Sequence, residues 1–201
     1  MCIYNALCRR AAAGLVLSLL IISGISAQTT SGEVVYYTDS GYAEFTSSVP
    51  LHSFTGESDH LTGMIDLREN LVDFYLDLNT LETGIGKRDR DMYQTLNVEE
   101  HPFAEFTGSL ETSFNPDSSA EQLARVTGKF TINGVTKNVT IEGSLQPKDG
   151  DGSIELNVGW ELRLEDYNIE APGILFYRVD EVQKIQIEAL LKPVDPETLS
   201  N

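Results

Sequence analysis

Beyond residue 8 the 201-residue chain has no cysteine, Cys2 and Cys8 being its only two. Everything downstream is therefore without a disulfide framework, a thiol nucleophile or the sulfur ligands of a structural zinc site. Histidine is scarce: His52, His60 and His101 are the three, and none has a partner at metal-ligand spacing. Positive charge is also in short supply, with 14 Lys and Arg against 31 Asp and Glu and a net charge of −17. Such a surface repels nucleic acid and anionic lipid headgroups, so neither is an expected partner. After the first 27 residues no stretch approaches the roughly 20 apolar residues that a spanning helix needs, so no transmembrane segment is expected in the mature chain. No serine sits in a nucleophile-elbow pattern. Paired carboxylates are abundant, but in so acidic a chain they arise by chance, and nothing specific marks a glycosidase. The expectation is a protein that is not an enzyme and carries no cofactor.

The first residues have the make-up of an export signal. Arg9 and Arg10 precede an apolar stretch over residues 11–22, and Ser23, Gly24, Ile25, Ser26 and Ala27 supply a small-residue exit ahead of Gln28. The charge, the length of about a dozen residues and the exit all fit a cleaved signal peptide. Residues 1–27 are accordingly read as the signal, with cleavage after Ala27, and 28–201 as one exported domain, periplasmic or secreted. Loss of Arg9 and Arg10 would leave 12 basic and 31 acidic residues, a net −19. About 174 residues suffice for one core without disulfide support.

From about residue 42 onward, period-two alternation dominates. Val72, Phe74, Leu76 and Leu78 oppose Asp73, Tyr75 and Asp77, as a half-buried strand requires. Ile154, Leu156, Val158, Trp160, Leu162 and Leu164 likewise oppose Glu155, Asn157, Gly159, Glu161 and Arg163. The same test predicts strands over 42–48, 61–67, 103–110, 124–132, 138–145 and 182–191, eight in all. Turn chemistry joins most of them: Arg68-Glu69-Asn70, Asn133-Gly134, and the Gly- and Asp-rich run 148–152. Residues 39–41 and 114–122 read as loops. Over 87–96 the strand period disappears, and Met92, Tyr93 and Leu96 suit one short helix against the body of the protein. Eight half-apolar antiparallel strands hide their apolar faces by closing into a barrel, which also removes exposed edges. A two-sheet sandwich satisfies the same alternation. The fold class expected is all-β, an eight-stranded antiparallel barrel with one short helix.

In a barrel of eight strands the interior either just fills or holds one elongated ligand. The residues expected to face inward are Phe74, Leu76, Phe106, Phe130, Ile132, Val139, Ile141, Trp160 and Leu162. Lys87, Arg88 and Arg90, interleaved with Asp89 and Asp91, form the densest basic cluster of the mature chain. It would either receive an anionic headgroup, with the apolar tail running towards Trp160, or pair internally with its own acids. Asp149 and Asp151 lack the further spaced ligands of a calcium loop. Asn138-Val139-Thr140, a formal glycosylation acceptor, lies within a predicted strand.

The order of several short motifs resembles the YceI-like family. Leu78-Asn79-Thr80-Leu81-Glu82-Thr83-Gly84 is followed by Arg88-Asp89, then by Pro102 with Phe106 in the next strand. Residues 126–137, Val-Thr-Gly-Lys-Phe-Thr-Ile-Asn-Gly-Val-Thr-Lys, and later Arg163-Leu164-Glu165-Asp166-Tyr167 continue the likeness, which spans about Gly32 to Lys192. The family's usual Trp-x-x-Asp and His-Ser opening is absent, with 41–45 and His52-Ser53-Phe54 loosely in its place, and Tyr167-Asn168 stands for its Phe-Gly. The resemblance implies a lipocalin-like barrel whose tunnel holds a polyisoprenoid, an isoprenoid quinone or a similar lipid-like ligand. The other reading is a ligand-free structural or interaction module of the cell envelope, its barrel filled by its own side chains.

Overall fold

The computed structural model describes residues 34–49, 52–174 and 177–199. The expected signal peptide lies outside these residues. The elements in chain order are β1 (Val35–Val49), β2 (His52–Asp66), β3 (Leu71–Asp77), α1 (Gly86–Thr95), β4 (Phe103–Leu110), β5 (Gln122–Ile132), β6 (Val135–Pro147), β7 (Ile154–Arg163), β8 (Gly173–Ile174), β9 (Tyr177–Arg178) and β10 (Val182–Val194). Three short 3-10 turns (Leu78–Thr80, Leu164–Tyr167 and Pro196–Leu199) complete the set. Eight strands close in the order β1-β10-β7-β6-β5-β4-β3-β2, neighbouring strands pairing antiparallel, while β8 and β9 form a separate small hairpin. Closure decides for the barrel over the sandwich.

The turns follow the sequence. Asn133 and Gly134 both take positive φ (50° and 68°) between β5 and β6, the two-residue connection whose twist matches the flanking strands. Residues 67–70 turn β2 into β3, with Asn70 at φ 53°. The loop expected at 39–41 is instead part of β1, a correction with a physical cause. The β1–β2 and β1–β10 registers shift between Tyr37 and Tyr42. Tyr36 and Thr38 are buried below this bulge, and Gly41, Ala43 and Ser47 above it, so the inward face changes from even to odd positions. An extra residue in one strand has this effect, and it removes the single-phase alternation by which a strand is recognised. A matching shift on β2, where Ser58 pairs with Ala43 but Leu61 with Gly41, explains why only the lower half of that strand was legible.

The wall is not uniform. β2 pairs with β3 only over 62–66, and above this Glu57 exchanges backbone hydrogen bonds with Glu82 at 2.9 Å each way, so the segment after β3 covers the edge of β2. β6 pairs with β7 only over 143–147. Beyond that point Asn133 Nδ2 donates to the Tyr167 carbonyl at 3.1 Å, and the buried Tyr167, Ile169 and Ala171 back the opening.

The two ends of the barrel differ. At the lower end Leu145, Ile154 and Leu191 are essentially inaccessible, with Tyr36 and Ile65 beside them, and form a packed plug. At the upper end Phe45, Met92, Leu96, Ala104, Trp160 and Ile185 are only half-buried. Each fully buried aliphatic side chain of the plug contributes about 1.5–3 kcal/mol relative to exposure, so the plug is where stability concentrates.

At the foot of β2, buried Asp66 accepts from Arg68 N at 2.9 Å, Arg68 Nε at 2.9 Å and Arg68 Nη2 at 2.5 Å. The Arg68 guanidinium holds the Asp66 carboxyl below the usual carboxylate range, against the opposing effect of burial. Asp66→Asn should therefore cost about 1–3 kcal/mol near neutral pH in urea unfolding. Because the folded carboxyl titrates below the unfolded one, the contribution is complete above the unfolded value of about 3.9 and is lost as pH falls through the folded value. The gap between the two proteins should close over that window; a gap unchanged down to about pH 2 would refute the assignment.

Candidate functional site

Within the barrel is a cavity of about 670 Å³, in the range of small-molecule sites and lined mostly by apolar side chains. Its floor is made by Val72, Leu110, Ala124 and Leu156 together with Ile65 and Leu145 at the top of the plug. Its upper part reaches α1 at Lys87, Arg88, Met92 and Leu96, and the rim includes Ile85, which is 54% exposed. The opening is therefore beside the helix.

Why the barrel is not simply full follows from three phenylalanines placed against glycines. A Cβ at Gly56 would lie 2.2 Å from the Phe45 ring, one at Gly63 2.1 Å from the Phe74 ring, and Cβ atoms at Gly108 and Gly128 2.8 and 2.9 Å from the Phe106 ring. Gly56 is the cross-strand partner of Phe45, and Gly63 of Phe74. The rings thus occupy the space that a neighbouring side chain would take and lie along the wall. Open volume remains at the axis.

Ladder pairs arrange the upper lining in layers. Phe45 pairs with Ile185 and Ile185 with Trp160; below them Ala43 pairs with Ile187, Ile187 with Val158 and Val158 with Gly143. Phe130 stands edge-on to Trp160 at 5.9 Å and to Tyr167 at 5.6 Å between ring centroids. Trp160 therefore belongs to the mouth half of the cavity, and a chain entering beside α1 would pass it early rather than end there.

Of the residues singled out in the sequence, the structure brings Phe74, Leu76, Phe106, Phe130, Ile132, Ile141, Trp160, Leu162, Lys87 and Arg88 to the cavity lining. Val139 and Arg90 lie outside it. Val139 sits on the same inward phase as Ile141 and packs against the core, but its partner is Gly128, whose inward side the Phe106 ring covers. Arg90 is exposed on the solvent side of α1. Alternation gives phase, not depth, so it could not separate these two cases.

The basic cluster is largely tied up with its own surroundings. Lys87 Nζ bridges Asp91 at 3.0 Å with both side chains exposed. Arg88 donates from Nε to Thr83 Oγ1 at 2.9 Å and from Nη2 to the Thr83 carbonyl at 2.8 Å, and its guanidinium stands 4.5 Å over the Phe54 ring. Asp89 Oδ1 accepts from Thr83 N at 2.8 Å and from the Thr83 hydroxyl. Tyr93 Oη donates to the Leu81 carbonyl at 2.7 Å and the Asn79 carbonyl at 3.1 Å. Burial, followed by the charges of Asp89, Glu82 and Asp77, pushes the Tyr93 phenol up, which keeps it a donor. The Thr, Arg and Asp of the sequence motif therefore act together: they fasten α1 over the mouth.

Among the described residues no group of three His, Cys, Asp or Glu is placed to hold a metal ion, and no helix is long and apolar enough to cross a membrane. Sequence reasoning missed the lower part of β1 and the upper part of β2, and it did not place Phe45, Ser47 or Phe54 in the lining. It also missed Gln183 and the β8–β9 hairpin.

With the geometry described, likeness to known proteins can be placed on it. The profile of the YceI-like domain matches residues 35–191. A UPF0312 protein of Pseudomonas aeruginosa is 35% identical over 101 residues, covering 47% of this chain and 50% of that protein. Protein YceI of Salmonella newport is 32% identical over 104 residues, covering 49% and 51%. The chain thus spans about half the length of these relatives in matched sequence. Among solved structures, a polyisoprenoid binding domain from Saccharophagus degradans, implicated in plant cell wall breakdown, superposes with a TM-score of 0.69 at 16% identity, covering 80% of this chain and 98% of that one. Burkholderia cenocepacia BcnA superposes with a TM-score of 0.59 at 13% identity, covering 75% and 95%. At such identities the likeness is one of fold.

Thr83→Val should release the helix without opening the barrel. The loss of its two side-chain hydrogen bonds is expected to cost about 1–2 kcal/mol of local stability. Amide hydrogen exchange should rise across residues 86–95 and stay unchanged in β5 and β7. Uniform loss of protection across the barrel would show that the network supports the whole fold instead.

Proposed function

The chain belongs to the YceI-like domain family, and on that premise we propose that it binds one long apolar ligand, of polyisoprenoid or similar lipid-like chemistry, inside its barrel. The observation that carries this reading is the apolar cavity of about 670 Å³ that glycine-backed phenylalanines keep open. Burying an apolar chain there contributes roughly 25 cal/mol per Å² removed from water, less the costs of association. Binding of this kind needs no covalent step, and the role is carriage or sequestration. The Saccharophagus domain described as polyisoprenoid binding shares the fold, which supports the ligand class. Phe74, Leu76, Phe106, Phe130, Ile132, Ile141, Trp160 and Leu162 are the proposed contacts. Export to the periplasm or beyond, read from residues 1–27, is part of the same proposal.

Native mass spectrometry of protein purified from its own cells should show a co-purifying apolar mass. Repeated absence of any such mass, together with failure of added polyisoprenoid alcohol to bind, favours the ligand-free module. A variant supplies the structural control. Gly56→Ala would drive the Phe45 ring from the wall towards the axis, since the three atoms nearest the new methyl all belong to that ring. Affinity for a long isoprenoid should fall by about tenfold, equivalent to roughly 1.4 kcal/mol, with the circular dichroism of the barrel retained. Undiminished affinity would mean that the ligand lies elsewhere.

A further inference from the structure

Six polar or charged residues are buried in the described structure: Thr38, Ser47, Ser58, Asp66, Ser153 and Gln183. Five have partners. Ser58 bonds Thr80, Asp66 accepts from Arg68, Ser153 bonds Asp151, Thr38 accepts from Ser40 N, and Gln183 Nε2 donates to the Asp180 carbonyl. Ser47 Oγ is the one buried side-chain polar atom among the described residues without a partner. Ser47 is 1% exposed and lines the cavity.

Gln183 lines it too, at 5% exposed. The β1–β10 ladder ends at the pair Thr46 and Lys184, and Ser47 and Gln183 are the residues immediately beyond that pair on the two strands. Their flanking neighbours are Phe54 and Leu162, the cross-strand partners of Ser47 and Gln183. A hydroxyl and a carboxamide therefore both line the mouth half of the cavity at the end of one ladder, flanked by apolar side chains. Burying an unpaired hydroxyl is unfavourable, and a purely apolar ligand would leave it so.

We propose that Ser47 and Gln183 form a polar subsite that recognises a neutral hydrogen-bonding end group, a hydroxyl or carbonyl, on the apolar ligand. The inference rests on the carriage reading above and adds the chemistry of the ligand's head. Ser47 both donates and accepts, and Gln183, with one amide hydrogen committed, retains a second hydrogen and its carbonyl. A phosphate is disfavoured at this position, because burying an anion needs a paired cation. The nearest lining cations are Arg88, held by Thr83 and Phe54, and Lys87, paired with Asp91.

Trp160, the only tryptophan of the chain, lines the same cavity and reports occupancy by its fluorescence. The probes are three isoprenoids with one 15-carbon chain: farnesene, farnesol and farnesyl phosphate. Farnesol should bind the wild-type protein about 3- to 30-fold more tightly than farnesene, as one or two hydrogen bonds allow. The double variant Ser47→Ala, Gln183→Leu should lose that preference, the ratio of the two affinities within the variant falling to within about twofold of one. Ser47→Thr, which keeps the hydroxyl, should retain it. The proposal is overturned if wild type shows no preference for the alcohol, if the preference survives in the double variant, or if farnesyl phosphate binds best. If no probe binds wild type at all, the carriage reading itself falls, and the polar subsite with it.

Discussion

A closed sheet of eight strands has a fixed interior, and how its side chains share that interior governs everything else in this protein. The lower third is packed to the point of inaccessibility by Leu145, Ile154 and Leu191. Above it the aromatic bulk is laid against the wall, because Gly56, Gly63, Gly108 and Gly128 leave no side chain where the rings of Phe45, Phe74 and Phe106 sit. A core filled in the ordinary way would gain dispersion and lose the cavity. Here stability is concentrated in the plug, and the upper part gives up packing in favour of space.

That division explains the placement of the irregular elements. Apart from the bulges themselves, three departures from regular strand pairing lie above the bulge in β1: the Glu57–Glu82 bridge, the helix α1, and residues 164–173 behind the β6–β7 opening. The helix α1 has no fully buried residue, and a segment with few buried contacts opens at lower free energy than core strands. These elements surround the mouth, so entry of a ligand would require movement of the least stable part of the molecule while the plug and lower strands stay intact. The network of Thr83, Arg88, Asp89 and Tyr93 supplies the fastening. Of the basic residues that look like a headgroup site in the sequence, Arg88 serves as that fastening, Lys87 pairs with Asp91 on its own helix and Arg90 is exposed. Oppositely charged and hydroxyl groups a few residues away were the nearer partners.

Much of the fold was legible in the sequence, and the reason is local. Period-two alternation records which side of a strand meets water, and turn residues such as Asn133-Gly134 record where the chain must take positive φ. Both are written within a few residues, so the barrel strands from β3 onward, the helix and the antiparallel order could be read without knowing what packs on what. The same signal failed at β1, where the bulge between Tyr37 and Tyr42 reverses the inward face and turns one 15-residue strand into what looks like a loop and half a strand.

The candidate site was legible only in part, since a binding site is a relation among distant residues. The apolar lining followed from phase, and the family resemblance supplied the kind of ligand to expect. Depth did not follow: Ile141 and Val139 share a phase, yet only Ile141 reaches the cavity, because a ring from β4 stands over Val139's partner. Nor did the meeting of Ser47 and Gln183 in one cavity lining, since they are more than 130 positions apart and reach the end of one ladder only because the first and last barrel strands close on one another. The sequence determined the alternating strands, and with them an all-β chain with one apolar face. Only the tertiary structure decided that this face encloses space, because volume and proximity depend on which strands meet at closure and on which rings find glycines opposite them.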